Sequence, residues 1–286
     1  MESRPMEFID DVILNSEHNH QRMLVDIRFK KDGVAKPLIV FIHGFKGYKD
    51  WGPFNSIADY FAENGMIFCK FNLSHNGTTV DQPNEITKPE IFGQNNFSIE
   101  LDDLKVVIDY LHSSISRIPD NEVDLNELIL IGYSRGGGLA ILNASIDKRI
   151  KRLITWAAVS DLSNRWPEEI LQQWKSTGVL HVFNSRTNES LPMYYQLVSN
   201  FERNIKQLDI PKSAKSMNIP WLICHGTDDE TLPYSMAIDL KSWNMNAELY
   251  IMEGANHSFD ASHTSTKIPE DFRELIVKTL KFILSD

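Results

Sequence analysis

Apolar residues follow two rhythms along the 286 residues. Short runs that are apolar at almost every position occur at 37–43, 66–72, 128–132, 153–157, 221–225 and 248–253. Leu38-Ile39-Val40-Phe41-Ile42 and Leu128-Ile129-Leu130-Ile131 have no polar member. Such continuity predicts strands buried on both faces, as in a parallel sheet covered by helices. A further run, 23–29, alternates instead: Leu24-Val25-Asp26-Ile27-Arg28-Phe29. Lys31-Asp32-Gly33 follows it as a turn, so this run and the next strand are predicted to form an antiparallel hairpin at the sheet edge.

Helical spacing occupies the intervals. Ile57, Tyr60 and Phe61 follow Pro53. Over 99–111, Leu101, Leu104, Val107, Ile108 and Leu111 line one face, with Ser98 as the predicted start. The pattern returns at 271–284 with Phe272, Leu275, Ile276, Leu280 and Ile283. Strands alternating with helices predict a doubly wound α/β fold.

Two intervals exceed a simple crossover. Residues 74–97 are polar and aperiodic, and about 60 residues separate the strand ending near Ala158 from the one starting near Pro220. Both leave the carboxyl ends of strands, the edge where open α/β sheets bind ligands. The longer one carries Trp166, Trp174, Phe183, Tyr194, Tyr195 and Phe201.

Composition narrows the function classes. Hydrophobic residues make up 42% and charged residues 24%, which excludes a disordered or fibrous chain. The net charge of −10 argues against a nucleic-acid or anionic-membrane partner and makes a neutral substrate the expectation. Cys69 and Cys224 both lie in apolar runs and read as buried structural thiols. The N-terminus lacks the apolar core of a signal peptide, and no run reaches the ~18 residues of a membrane span. A soluble cytoplasmic protein is therefore expected; its oligomeric state is not readable.

The chemistry concentrates after the strands. Gly132-Tyr133-Ser134-Arg135-Gly136 follows the run at 128–131 and precedes the small residues Gly137, Gly138 and Ala140. It fits a G-x-S-x-G nucleophile elbow, a tight strand-to-helix turn that lifts the serine hydroxyl clear of the sheet. A serine needs a base, and the base an orienting acid, which for this motif follow in the order Ser, Asp, His. His225-Gly226-Thr227-Asp228-Asp229 comes next, and Gly254-Ala255-Asn256-His257 follows the last strand. His257 is the candidate base; Asp228 and Asp229 both remain open as the acid. His43 and His225, each before a Gly at a strand end, read as bonding loop carbonyls. The developing oxyanion needs two donors, assigned to the backbone amides of Arg135 and, in His43-Gly44-Phe45, of Phe45.

These four segments resemble the α/β-hydrolase superfamily, in particular the carboxylesterases that include cinnamoyl and feruloyl esterases. The Asp228-to-Pro233 turn is also similar to the catalytic domain of prolyl-oligopeptidase-like peptidases. The resemblance implies an α/β-hydrolase fold over 1–286, mostly parallel, with helices on both faces and an inserted cap at 161–217. It selects Asp229 over Asp228 and implies a Ser134–His257–Asp229 triad. A Ser at the elbow separates the chain from relatives that use Asp or Cys there. The implied reaction is hydrolysis of a small or aromatic acyl ester through an acyl-enzyme, with no metal or organic cofactor. A peptidase or amidase is the alternative, and a non-catalytic binding protein the remote one. Trp166, Trp174 and Tyr194 are the candidate substrate contacts.

Overall fold

The apolar runs form the centre of an eight-stranded sheet in the computed structural model, which describes residues 5–163 and 166–285. The N-terminal residues 1–4 and part of the proposed cap, Asn164 and Arg165, lie outside the described residues. In chain order the elements are β1 (Met6–Asn15), β2 (Arg22–Lys30), β3 (Lys36–Ile42), α1 (Phe54–Glu63), β4 (Ile67–Phe71), α2 (Pro89–Gly93), α3 (Phe97–Leu111) and β5 (Val123–Tyr133). Then come α4 (Arg135–Ala144), β6 (Ile150–Trp156), α5 (Glu168–Thr177), β7 (Val179–Asn184), β8 (Glu189–Tyr194), α6 (Gln196–Arg203) and α7 (Ile210–Ser216). The chain closes with β9 (Trp221–Gly226), α8 (Ser235–Trp243), β10 (Glu248–Met252) and α9 (Glu270–Leu284).

The sheet order is β1-β2-β4-β3-β5-β6-β9-β10, parallel from β4 onward and antiparallel at β1 and β2. This is the α/β-hydrolase fold. Alternate side chains of one strand enter opposite cores: Leu38, Val40 and Ile42 of β3 pack on one face, Ile39 and Phe41 on the other. β5 divides in the same way between Leu128 and Leu130 on one side and Ile129 and Ile131 on the other. Helices α3, α4, α7 and α8 cover the first face, α1 and α9 the second. That two-sided burial is why the runs carry no polar positions.

The expected hairpin between the run at 23–29 and the next strand is not formed. β2 pairs with β1 on one side and β4 on the other, and β4 separates it from β3. The turn after β2 is held elsewhere: Glu122 accepts the amides of Asp32 and Gly33. β1 escapes the pattern because its register shifts between Ile9 and Val12, and it exposes Phe8 and Ile13 at the edge. Helix α3 starts earlier than Ser98; Asn96 caps it, its Oδ1 accepting from the Ile99 amide at 3.1 Å. No helix among the described residues is long and apolar enough to cross a membrane. Both cysteines are buried, and burial raises their thiols well above the usual range.

Two buried charge clusters were invisible in the pattern. Asp26 of β2 faces Lys70 of β4 across the antiparallel ladder. Lys70 and Lys49 both bond Asp26, at 2.7 and 2.6 Å, and both pair with Asp50. Lys49 and Asp50 thereby tie the loop after β3 to the sheet. The second cluster centres on Asp103 of α3, which accepts from Ser16 Oγ at 2.6 Å and the Ser74 amide at 2.8 Å. Burial pushes its carboxyl up to about 6 despite those bonds. An aspartate in the unfolded chain titrates near ~3.9. The folded state therefore holds this proton more tightly, and the stabilisation is full below about 4 and lost as pH rises through about 6. Asp103→Asn is expected to gain about 2–3 kcal/mol more, relative to the parent chain, at pH 8 than at pH 4. Urea unfolding at the two pH values measures this; equal differences would refute it.

Candidate active site

Ser134 sits in the tight turn between β5 and α4, with φ 57° and ψ −120°. A left-handed backbone at a β-carbon residue is strained and needs its surroundings to hold it. Glycines make that possible here. A Cβ at Gly132 would stand 2.5 Å from the Gly136 carbonyl oxygen, and one at Gly136 would collide with the carbonyls of Ile42 and His43. The elbow can therefore press against the end of β3. The Ser134 amide donates to Trp156 O at 2.8 Å, which pins the turn to β6.

The hydroxyl is joined to two groups from the far half of the chain. Ser134 Oγ lies 3.0 Å from His257 Nε2, and His257 Nδ1 lies 2.7 Å from Asp229 Oδ2. His257 stands in the loop after β10, its ring stacked 5.5 Å from Tyr133, whose hydroxyl donates to His257 O. Asp229 lies after β9; its Oδ1 accepts the amides of Thr231 and Leu232 at 2.9 and 2.7 Å. His225 approaches Asp229 Oδ2 at 3.0 Å through Nε2. Burial raises the Asp229 carboxyl, but donors from His225, His257 and Leu232 outweigh it and hold the group well below the usual range. Asp229 is thus ionised at neutral pH. Asp228 is exposed and bonds Thr227.

This line of hydroxyl, imidazole and carboxylate can move a proton from Oγ to Nε2 while the carboxylate fixes the proton on Nδ1. The amide of Arg135 is the first of α4, where helical bonding leaves it free. Neither it nor the Phe45 amide takes part in a backbone bond of the turns and loops among the described residues. Both residues line the same cavity as Ser134.

The two other strand-end histidines bond loop carbonyls: His43 Nδ1 to Gly44 O at 2.9 Å, and His225 Nε2 to Leu232 O at 2.8 Å. His43 Nε2 in turn accepts from the Leu73 amide at 3.3 Å, which fixes the tautomer with the proton on Nδ1. Burial lowers its pKa to about 4, so it is neutral and holds the loop that carries Phe45.

The cavity measures about 500 Å³. Its aromatic walls are Phe45, Trp51, Phe54 and Tyr133, from the sheet, the loop after β3 and the start of α1. The three expected contacts from the insertion do not line it. Trp174 is fully buried, edge-on to Trp166 and Tyr195, with Nε1 donating to Met193 O. Tyr194 packs against Gly93 of α2. Trp166 and Trp174 are taken up by packing among the insertion's own rings, and Tyr194 by the contact of the insertion with α2. What reaches the cavity from the insertion is the β7–β8 turn, through Asn184, Ser185 and Arg186. Nothing in the hydrophobic pattern marked those polar residues. Helix α7, at the end of the insertion, packs back on α4, where Gly138 abuts Ile210.

No family model matches the chain. It is 24% identical over 248 residues to a protein of Mycoplasma genitalium assigned as an esterase/lipase, covering 78% of this chain and 83% of that one. Two other curated relatives are matched over only 26% and 37% of their own length. Among solved structures, Est1E from Butyrivibrio proteoclasticus with bound ferulic acid superposes with a TM-score of 0.70 at 17% identity, covering 95% of this chain and 98% of that one. Mouse α/β-hydrolase domain-containing protein 10 gives 0.67 at 18% identity, covering 95% and 97%.

Proposed function

We propose that this α/β-hydrolase-fold chain is a serine hydrolase that cleaves a carboxylic ester. The observation that carries the reading is the unbroken line from Ser134 Oγ to His257 (3.0 Å) and from His257 to Asp229 (2.7 Å). Ser134 attacks the acyl carbonyl as His257 takes its proton. Amides of Phe45 and Arg135 receive the oxyanion. His257 then protonates the leaving alcohol, and a water activated by the same imidazole releases the acid. Asp229 holds the ring and stabilises the imidazolium. The β7–β8 turn, with Asn184 to Arg186 on the cavity, makes the insertion the cap of this site.

The similarity to the Mycoplasma esterase/lipase and to a structure that holds ferulic acid supports an ester with a small or aromatic acyl group. Phe45, Trp51 and Tyr133, in place of Trp166, Trp174 and Tyr194, supply the aromatic wall for it. An amide would use the same machinery. A panel of nitrophenyl esters from acetate to palmitate, feruloyl esters and aminoacyl anilides separates the two. Esters of short or aromatic acids are expected to be cleaved at least 100-fold faster than the anilides. Rapid anilide cleavage with negligible ester turnover would overturn the esterase reading.

A further inference from the structure

The cavity's charge opposes that of the molecule. The chain carries a net −10, yet the cavity is lined by Lys46, Arg135 and Arg186 and by no aspartate or glutamate among the described residues. Arg135 is already neutralised: Nε donates to Glu100 Oε2 at 2.9 Å, and the guanidinium rests over the rings of Phe45 and Phe97 at 5.3 and 4.5 Å. Among the described residues, Lys46 and Arg186 have no such counter-ion. Lys46 Nζ donates to the Phe183 carbonyl at 3.1 Å and lies 5.9 Å from the Phe45 ring centroid, and Arg186 lies over the Tyr48 ring at 4.8 Å. Arg186 also lines the neighbouring cavity with Glu85 and Glu189, and no ion pair joins it to either among the described residues. Burial and the nearby Arg186 both lower the pKa of Lys46, so the two cations repel each other across the site.

The hydrogen bonding has the same sign. Three side chains that line this cavity each hold one buried nitrogen with no acceptor: Arg135 Nη2, Arg186 Nη2 and Asn184 Nδ2. The orientation of Asn184 is set by its Oδ1, which accepts the Arg186 amide at 3.3 Å. A buried donor left unpaired costs about 1–3 kcal/mol, so the walls of this cavity are rich in donors and short of acceptors. Two unpaired cations add the requirement that the acceptor be charged.

We infer that the substrate carries, besides its scissile acyl bond, a negatively charged oxyanion group, a carboxylate or phosphate, received by Arg186 and Lys46 in this donor-rich wall. The inference rests on Ser134 as the nucleophile and replaces the neutral substrate that net charge alone predicts. The long-range field of an acidic surface disfavours such a ligand, which is why the local cations are needed.

Three anionic esters, each against its neutral counterpart, test this and locate the charge. They are 4-nitrophenyl hydrogen glutarate against the valerate, 4-acetoxybenzoate against its methyl ester, and 4-acetoxyphenyl phosphate against phenyl acetate. At least one anionic ester is expected to exceed its counterpart tenfold in kcat/KM. That ratio should fall at least tenfold in Arg186→Gln and in Lys46→Gln. A preference for all three neutral esters, or a ratio unmoved by both substitutions, overturns the inference. Calorimetric binding of glutarate and of inorganic phosphate to the Ser134→Ala chain separates it from the catalytic reading. Binding that Arg186→Gln abolishes supports the anion site even if no ester is turned over, and no binding of either ion refutes it.

Discussion

Ser134→Ala is expected to abolish labelling by a fluorophosphonate probe and to lower kcat by about 10⁴-fold or more. The probe reacts with a hydroxyl only where a base removes its proton, and Ser134 Oγ stands 3.0 Å from His257 Nε2. Removing the oxygen removes the nucleophile and leaves the amides of Phe45 and Arg135, and with them only residual catalysis. The fold should survive, because alanine keeps the β-carbon and Gly132 and Gly136 keep the room for the turn. An unchanged far-ultraviolet dichroism spectrum beside lost turnover is the expected pair of results. Labelling at another residue, or retained turnover in the variant, would remove Ser134 from the reaction.

The second large effect is at Asp229. Asp229→Asn is expected to reduce kcat by about 10³–10⁴-fold, and Asp228→Asn by less than about twofold. The oxygen Oδ2 faces the ring nitrogens of both His257 and His225, while Oδ1 is committed to the amides of Thr231 and Leu232. An asparagine would keep its oxygen on those amides and turn its NH₂ toward His257. The ring would answer by moving its proton to Nε2, which then cannot take one from Ser134. Asp229 is held well below the usual carboxylate range, so activity lost on mild acidification reports a group other than this one. Asp228 touches Thr227 and solvent, away from the imidazole. Steady-state kinetics of the two variants on one ester decides the assignment; a larger loss at position 228 would reverse it.

Much of the scaffold was legible because it is written in local rules. A strand buried on both faces favours apolar residues at every position, so the unbroken runs at β3 and β5 announced a covered parallel sheet, while Lys70 of β4 is buried as the partner of Asp26. The elbow was legible because its turn tolerates only glycine at 132 and 136, and sequence order then pointed to the loops of Asp229 and His257. The errors share a cause. β1 was missed where a register shift broke its alternation. The hairpin after β2 was misplaced because a turn motif tells where a chain bends, not which strand it next pairs with. Trp166, Trp174 and Tyr194 have the chemistry of substrate contacts, but packing within the insertion and against α2 holds them away from the cavity.

Local rules along the chain were enough for the layered α/β scaffold and for the chain order of Ser134, Asp229 and His257, which the fold joins at 2.7 and 3.0 Å. Each depends on neighbours within a few positions or on the strand that precedes it. Only the tertiary structure decided that Lys70 meets Asp26, that His225 supports Asp229, and that Arg186 of the β7–β8 turn returns to the cavity beside Ser134. The first and last of those contacts join residues tens of positions apart, and the His225–Asp229 contact depends on how the chain turns after β9. Strand order and the path of an insertion fix them, and hydrophobic periodicity, which records only which side of an element is buried, contains no term for either.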